Sequence, residues 1–285
     1  MTSAKKKKKK DRGAPIGVFD SGLGGLTVVR AIAEALPGED LVYLGDTARV
    51  PYGTRSAHTV IRYARGCGAV LARHDIKMLV VACNTVSAVA LDMLRVELDL
   101  PVLGVIEPGA RAAVKASRSG RIGVIATAGT VGSGAYPRAV ASFETRAEVK
   151  QLAAPLLVPL AEEGWLEGEV PRLVVRKYLS ELLGAADGGP KIDALVLGCT
   201  HYPLLSDVIG EEAERAAGAP IAVVDSGVAA AGELAGLLAD RELTSERERG
   251  SLRLMVTDLP GRFAEVASRF LGRELEGLAV EQVDL

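Results

Sequence analysis

The sequence predicts an α/β protein with two pseudo-symmetric domains, each a mainly parallel sheet flanked by helices. Short β-branched apolar runs, bounded by glycine, alternate with longer amphipathic stretches, which is typical of βαβ units. Segments of the first half of the chain also recur in the second half in the same order. Hydrophobic residues make up 48% and charged residues 25% of the 285 positions, which excludes a wholly disordered chain.

The predicted strands are short apolar runs, and the stretches between them place apolar residues at helical spacing. The strands are, in chain order, Ile16–Phe19, Leu41–Leu44, Met78–Ala82, Val102–Ile106, Ile122–Ala126, Ala194–Leu197 and Ile221–Val224. The predicted helices are Leu26–Ala35, Ser56–His74, Thr85–Glu97, Gly109–Ala116, Gly134–Ala141, Pro171–Leu183, Pro203–Ala216 and Gly227–Ala239.

Three pairs of segments carry the internal repeat. They are Pro15–Val18 with Arg121–Val124, Lys77–Thr85 with Asp193–His201, and Val102–Ile106 with Ile221–Asp225. Two similar α/β domains facing each other explain the repeat, and chance similarity between buried parallel strands is the alternative. We expect a flexible tail (residues 1–15), a first domain (residues 16–107 plus 221–285) and a second domain (residues 108–220).

The N-terminal tail contains six consecutive lysines, Lys5–Lys10. A block of like charges repels itself and stays extended. It is either an electrostatic tether to polyanions or a solvated tail with no specific role. Removing these lysines from the 34 basic residues leaves 28 against 36 acidic ones, so the body of the protein is acidic. We therefore expect that no nucleic acid is required for activity.

The sequence favours a cytoplasmic protein that does not interact with membranes. No apolar stretch reaches the roughly 18 residues of a membrane span, and the most apolar run, Met78–Leu91, is interrupted by polar residues. The N-terminal lysines are not followed by the apolar segment of a secretory signal. The three cysteines are widely spaced and odd in number, which indicates a reducing cytosol rather than a disulfide framework.

Small polar residues follow most of the predicted strands. Because parallel sheets bind ligands at the carboxyl ends of their strands, these residues are candidates for a functional site. The segments are Asp20–Gly25, Gly45–Gly53, Cys83–Thr85, Thr127–Thr130, Gly198–His201 and Asp225–Gly227.

Cys83 and Cys199 each follow a predicted strand and precede a predicted helix. A helix N-terminus stabilises a thiolate through its dipole and its free N–H groups. Two buried structural thiols are the alternative, but two cysteines in equivalent places, each beside a threonine, favour a functional role. Cys67 lies inside a predicted helix, and we interpret it as a packing residue.

Each of the two cysteines has a candidate proton partner. Asp20 ends the first strand, and His201 lies two residues after Cys199. Either can accept or relay a thiol proton, although a helix cap and a structural histidine are the respective alternatives. Inverting a carbon centre without a cofactor requires a base on one face and an acid on the other, which two opposed cysteines can supply. Hydroxyl, amide and backbone N–H groups would hold the substrate carboxylate.

We expect neither a cofactor nor a metal. The glycine-rich turn Gly22–Gly25 matches neither the dinucleotide fingerprint nor the P-loop, and it is better explained as a tight turn whose N–H groups bind an anion such as a carboxylate. The histidines and cysteines are too scattered along the chain for zinc-ligand spacing.

Four segments of the chain resemble the signature segments of cofactor-independent glutamate racemases. They are Asp20-Ser-Gly-Leu-Gly-Gly-Leu-Thr27, Gly45-Asp-Thr-Ala-Arg-Val-Pro-Tyr-Gly53, Ala82-Cys-Asn-Thr85 and Gly198-Cys-Thr-His-Tyr-Pro203. The four occur in the family's order, and the resemblance runs from about Ile16 to the C-terminus.

The resemblance implies an isomerase with its active site between the two domains. Such an enzyme interconverts L- and D-glutamate and supplies D-glutamate for peptidoglycan synthesis, and thus for cell-wall biogenesis and cell shape. The implied proton donors and acceptors are Cys83 and Cys199, assisted by Asp20, His201 and Glu162. The implied substrate-binding residues are Asp20, Ser21, Tyr52, Gly53, Asn84, Thr85, Thr130, Thr200 and His201. The expected partners are glutamate, as substrate, and a second copy of the chain in a homodimer.

The chain departs from the family pattern in two places. Family members often have Cys-Pro where this chain has Ala154-Pro155, and Glu163 is the neighbouring alternative to Glu162. The lysine run is not part of the pattern. Other functions are a non-catalytic carboxylate-binding protein with two lobes, a relative that acts on aspartate or another acid, and a thiol redox enzyme. The redox alternative is disfavoured because the chain has no Cys-X-X-Cys arrangement.

Overall fold

A computed structural model describes residues 11–184, 191–275, 277 and 279–285. The strands in this part of the chain are β1 (Ile16–Asp20), β2 (Leu41–Gly45), β3 (Met78–Val81), β4 (Val102–Gly104), β5 (Arg121–Ala126), β6 (Glu148–Ala153), β7 (Ala194–Gly198), β8 (Ala222–Asp225), β9 (Leu252–Val256) and β10 (Val280–Gln282). The α-helices are α1 (Leu26–Ala35), α2 (Ala57–Ala72), α3 (Asn84–Val89), α4 (Leu91–Glu97), α5 (Ile106–Ala116), α6 (Ala128–Ser133), α7 (Ala135–Phe143), α8 (Leu157–Glu163), α9 (Glu169–Leu183), α10 (Ser206–Ala217), α11 (Ser226–Asp240) and α12 (Pro260–Leu271).

The first sheet is parallel, with the strand order β10-β9-β2-β1-β3-β4. The inner strands β1, β2 and β3 are buried along their whole length, as expected for apolar runs covered on both faces. Phe19 in β1 pairs with Val81 in β3, so Asp20 and the residues after β3 lie at the same edge of the sheet.

The second sheet is also parallel, with the strand order β6-β5-β7-β8. Ala126 at the end of β5 pairs with Gly198 at the end of β7. The next residues, Thr127 and Cys199, therefore lie at neighbouring positions on the same edge of the second sheet.

The two sheets have equivalent topologies. The order β2-β1-β3-β4 in the first sheet corresponds strand for strand to β6-β5-β7-β8 in the second. Two members of the sequence repeat thus occupy equivalent strands: Lys77–Thr85 contains β3 and Asp193–His201 contains β7. This arrangement confirms the predicted fold class.

The predicted domain boundaries were wrong for residues 221–225, which had been placed in the first domain. The strand β8 pairs with β7, with Ala222 opposite Ala194, so it is an edge strand of the second sheet. The physical reason is that β8 is the counterpart of β4, which occupies the same edge of the first sheet beside β3. The rest of the predicted division into two domains stays a prediction.

Several strands and helices of the structure are absent from the sequence prediction. Strands β6, β9 and β10 and helices α6, α8 and α12 were not predicted, and the predicted helix Thr85–Glu97 is divided at Ala90 into α3 and α4. The strand β6 lies at the edge of its sheet and exposes Glu148 and Lys150, so it lacks the continuous apolar run of an inner strand.

Helix α11 connects the two halves of the protein. It packs against α1, which belongs with the first sheet, and against α5, which contacts β7 and β8 of the second. One hydrophobic cluster consequently includes Val18 of the first sheet and Leu197 of the second. Within the described ranges, no helix is long and apolar enough to cross a membrane.

Residues 11–15 are not a flexible tail as predicted, because they contact the first sheet. Lys77 at the start of β3 is fully buried, and its Nζ donates to the carbonyl oxygens of Arg12 (2.7 Å) and Leu243 (2.8 Å). The same ammonium forms an ion pair with the buried carboxylate of Glu39. The remainder of the predicted tail, including the lysine run Lys5–Lys10, lies outside the described residues.

We expect Lys77→Met to lower the free energy of unfolding by about 3–5 kcal/mol, because the Glu39 carboxylate would stay buried without its cation. Urea denaturation measures the change. The control is the double variant with Glu39→Gln, which removes both charges and should recover part of the loss. Equal unfolding free energies for Lys77→Met and the unmodified protein would contradict this role of the pair.

Candidate active site

Cys83 follows β3 and immediately precedes α3. Its side chain is buried, and its Sγ lies 3.3 Å from the hydroxyl oxygen of Ser21. Burial and the negative charge of Asp20 raise the pKa of the Cys83 thiol to about 12, and the Ser21 hydrogen bond only partly opposes this rise. This cysteine therefore favours the protonated form at neutral pH.

Asp20 ends β1, the neighbour of β3, and is fully buried. Its Oδ2 accepts a hydrogen bond of 2.9 Å from the backbone N–H of Gly22, whereas its buried Oδ1 has no hydrogen-bond partner in the described part of the chain. Burial raises the pKa of Asp20, while the charge of His201 and the N–H groups of the glycine-rich turn oppose that effect. A carboxyl group in this setting can accept or release a proton beside Cys83.

Cys199 occupies the equivalent position after β7 in the second sheet and is also buried. His201 Nδ1 lies 3.8 Å from the Cys199 sulfur, and His201 Nε2 lies 3.0 Å from Oε1 of Glu162 at the end of α8. Burial lowers the pKa of His201, but the hydrogen bonds and negative charges of Cys199 and Glu162 outweigh it and raise the pKa to about 10. The imidazole is thus held as a cation between a sulfur and a carboxylate.

The structure distinguishes between the two neighbouring glutamates that the sequence left open. Glu162 contacts His201, whereas Glu163 is exposed.

The two sulfur-containing groups belong to one electrostatic environment. A negative charge at Cys199 is among the causes that raise the pKa of Cys83, and the charge of His201 acts on Asp20. The two edges also touch, since Thr27 Oγ1 in α1 donates a 2.9 Å hydrogen bond to the carbonyl oxygen of Thr200.

Gly24 allows this close approach of the two edges. A Cβ on Gly24 would overlap the Thr200 hydroxyl and lie 2.5 Å from His201 Nδ1. Any larger residue in the glycine-rich turn at this position would displace the histidine beside Cys199.

Three threonine hydroxyls form a cluster across the two halves of the site. Thr85 Oγ1 lies 2.9 Å from Thr127 Oγ1 and 3.4 Å from Thr130 Oγ1, and the last two are 3.0 Å apart. The predicted substrate-binding residues include Thr85 and Thr130, whereas Thr127 was only part of the polar segment expected after a strand. Thr127 follows β5 directly, in the position that Ser21 has after β1.

Asn84 is held by residues of the second half of the chain. Its Oδ1 accepts a 2.8 Å hydrogen bond from the hydroxyl of Tyr136, and its Nδ2 lies 3.5 Å from Ser226 Oγ. Tyr136 was not predicted to belong to the site, and Ser226 was included only in the polar segment Asp225–Gly227. Ser226 follows a strand end, whereas nothing in the local sequence distinguishes Tyr136 in α7.

The side chain of Tyr52 is held by neighbours in the first half of the chain. Its hydroxyl donates a hydrogen bond to the Asp46 carboxylate, and its ring packs against Tyr63. The peptide groups of this segment do reach the site, because a Cβ on Gly53 would lie 2.8 Å from the Thr127 Cβ. Tyr52 and Gly53 can therefore contact a ligand through the main chain. Cys67 lies buried in the core cluster that contains Tyr52, as expected for a packing residue.

Each of the two sheet edges carries groups that can donate or accept a proton. Asp20 and Cys83 come from the first sheet, and Cys199, His201 and Glu162 come from the second. Hydroxyl and amide groups lie around them and can bind a carboxylate. Among the described residues, no three His, Cys, Asp or Glu side chains are grouped closely enough to hold a metal ion.

Comparisons with known proteins agree with this geometry. Residues 16–234 match the family model described as Asp/Glu/Hydantoin racemase. The chain is 51% identical over 261 residues to the glutamate racemase of Geobacter metallireducens, an alignment covering 91% of this chain and 93% of that protein.

Solved structures of glutamate racemases have the same fold. The Bacillus anthracis structure superposes with a TM-score of 0.89 at 36% identity, covering 96% of this chain and 98% of that one. The Francisella tularensis structure, in complex with D-glutamate, superposes with a TM-score of 0.85 at 35% identity and the same coverage.

We expect iodoacetamide to modify Cys199 faster than Cys83 between about pH 7 and pH 9, since the thiolate is the reactive form. In this range His201, with its pKa raised to about 10, remains a cation beside Cys199, whereas the Cys83 thiol titrates only near a pKa of about 12. Above pH 10 the imidazolium loses its proton and the difference should shrink. Mass spectrometry of the alkylated peptides measures both rates.

Two observations control this experiment. The two cysteines are 6% and 7% exposed, so access alone does not separate them. His201→Asn should slow the alkylation of Cys199 far more than it changes that of Cys83. Faster modification of Cys83 than of Cys199 in the unmodified protein would show that the histidine does not favour the neighbouring thiolate.

Proposed function

Because the chain belongs to the Asp/Glu/Hydantoin racemase family, we propose that it is a glutamate racemase, an isomerase that interconverts L- and D-glutamate without a cofactor. The observation that carries this proposal is the pair of buried thiols at equivalent strand ends of the two sheets, each with its own proton partner. A chiral carbon bound between them has a sulfur on each face.

In the proposed reaction the two cysteines exchange roles. One thiolate removes the α-proton of glutamate and becomes a thiol, while the other thiol donates its proton to the opposite face and becomes a thiolate. The α-carbon is inverted, one proton is taken up and one is released, and the total charge of the two cysteines is unchanged. After either enantiomer has formed, the two cysteines are therefore in the protonation state from which the reverse reaction starts.

We assign Cys199 as the thiolate and Cys83 as the thiol of the free enzyme. The His201 imidazolium stabilises a negative sulfur at Cys199, and Glu162 holds the imidazolium in place. For turnover in the other direction Cys83 must first lose its proton, and the buried carboxylate of Asp20 is the nearby acceptor. The two directions therefore depend on different assisting groups.

The polar groups around the cysteines would hold the substrate. The proposed contacts are Asp20, Ser21, Tyr52, Gly53, Asn84, Thr85, Thr130, Thr200 and His201, to which the structure adds Thr127. The free Oδ1 of Asp20 suits the substrate ammonium. None of these residues is lysine or arginine, and His201 is the one cationic side chain among them, so hydroxyl and amide donors would provide most of the hydrogen bonds to the two substrate carboxylates. These donors also stabilise the negative charge that develops when the α-proton leaves.

In the cell, we propose that the product D-glutamate supplies peptidoglycan synthesis in the cytoplasm. The relatives with this sequence pattern are bacterial proteins named glutamate racemase. The homodimer that the sequence resemblance implies stays a prediction.

The proposed activity is tested by incubating the protein with L-glutamate in deuterated water without added cofactor. We expect D-glutamate to form and deuterium to enter at the α-carbon, because each inversion inserts a proton carried by an enzyme group. Chiral chromatography with mass spectrometry detects both changes. Aspartate is the control substrate, and faster turnover of aspartate would assign the enzyme to a different acid. Binding of glutamate with neither inversion nor exchange would instead show a carboxylate-binding protein.

Cys83→Ser and Cys199→Ser should each reduce the rate of racemisation by about 10²- to 10⁴-fold, because a serine hydroxyl is a much weaker acid and base for its face of the carbon. Circular dichroism of the glutamate in solution, or chiral analysis over time, gives the rates in both directions. Cys67→Ala is the matched control and should retain activity. Full activity of either serine variant would rule out the scheme with two cysteines.

A further inference from the structure

The C-terminal helix α12 touches the end of α8, where Glu162 lies. Arg269 in α12 donates a hydrogen bond from Nη1 to the carbonyl oxygen of Glu162, and the same nitrogen lies 3.4 Å from the carbonyl oxygen of Ala161. Both carbonyls belong to the last turn of α8, where backbone oxygens lack the regular helical partners, although the Ala161 oxygen also accepts a 3.2 Å hydrogen bond from the N–H of Gly164. A guanidinium there satisfies these acceptors and complements the negative end of the helix dipole.

The residue that ends α8 is shaped for this contact. Gly164 adopts a left-handed conformation with φ of 77°, and a Cβ at this position would lie 2.7 Å from the Arg269 Cζ. The helix thus ends where the guanidinium packs against its backbone, and a side chain on Gly164 would push Arg269 away.

The next residue of α12, Phe270, contacts His201, the hydrogen-bond partner of Glu162. The ring of Phe270 meets the His201 ring edge-to-face, with centroids 5.3 Å apart and an interplanar angle of 82°. Two consecutive residues therefore touch the backbone of Glu162 and the ring of His201. Since α12 packs against α1 of the first sheet, whereas α8 follows β6 of the second, these contacts connect the two halves of the protein.

We propose that Arg269 is a positioning residue that, by holding the end of α8, keeps the Glu162 carboxylate against His201. This inference rests on the proposed function, in which His201 assists Cys199. The Glu162 side chain is 42% exposed and sits on the last turn of a seven-residue helix, so the place of its carboxylate depends on how this turn is held. Without Arg269 this turn is free to fray, and water competes for the carboxylate.

The test is Arg269→Gln, examined by NMR titration of the histidine ring signals in the free protein. In the unmodified chain we expect a His201 pKa of about 10, as the contacts with Cys199 and Glu162 dictate. In Arg269→Gln we expect this pKa to fall by about 1 to 3 pH units, because a carboxylate that has moved away no longer favours the cation. Racemisation should slow by about 10- to 100-fold, because Glu162 no longer holds His201 in place beside Cys199.

Three further variants make the result specific. Glu162→Gln should produce the same change in the His201 titration, and adding Arg269→Gln to it should cause little extra loss, because the two residues act in series. Arg269→Lys, which keeps a positive charge and a donor, should restore part of the activity and part of the pKa. Arg273→Gln, at an exposed arginine just beyond α12, is the matched control and should change neither quantity.

An unchanged His201 titration in a folded Arg269→Gln protein, or losses from Arg269→Gln and Glu162→Gln that simply add, would overturn the proposal. If Arg269→Gln does not fold, Arg269→Lys carries the same comparison, and a His201 pKa lowered toward that of Glu162→Gln is then the expected result. The titration needs no substrate, so its outcome is independent of the proposed racemase activity. Absence of racemisation with an altered titration would refute the function and keep the positioning role.

Discussion

Parallel pairing of β1 with β3, and of β5 with β7, is the constraint on which the site depends. In each sheet it brings the residues after two adjacent strands to the same edge, and the contact between Thr27 and Thr200 joins the two edges. The cysteines are buried because each lies at the junction between an inner strand and the turn that follows it. Burial removes water from the sulfur atoms, and the neighbouring charges then control their protonation more strongly than they could in solvent.

The two halves are equivalent in topology and different in charge. Around Cys83 the first sheet provides a carboxylate, which disfavours a second negative charge, whereas around Cys199 the second sheet provides an imidazolium held by Glu162. This difference decides which cysteine is favoured as the thiolate. In two identical environments the repulsion between two thiolates would still leave one sulfur protonated, but neither cysteine would be the preferred thiolate.

The assisting groups are held by contacts that reach across the protein. Tyr136 and Ser226 hold Asn84, and α12 contacts both Glu162 and His201. Each contact connects a residue of one sheet's segment with a residue of the other's. The strand ends position the cysteines directly. A change in how the two halves pack would therefore alter the orientation of His201 and Glu162 before it altered that of the cysteines.

Local patterns in the sequence determined the parallel α/β fold, the equivalence of the two halves and the place of Cys83 and Cys199 at strand ends, because apolar runs, helix starts and strand ends are encoded by neighbouring residues. Only the tertiary structure decided that β8 belongs to the second sheet, that Glu162 rather than Glu163 meets His201, and that Tyr136 and Arg269 take part. The reason is distance along the chain: 39 residues separate Glu162 from His201 and 107 separate it from Arg269. Such contacts depend on how helices pack on the sheets, which no local pattern records.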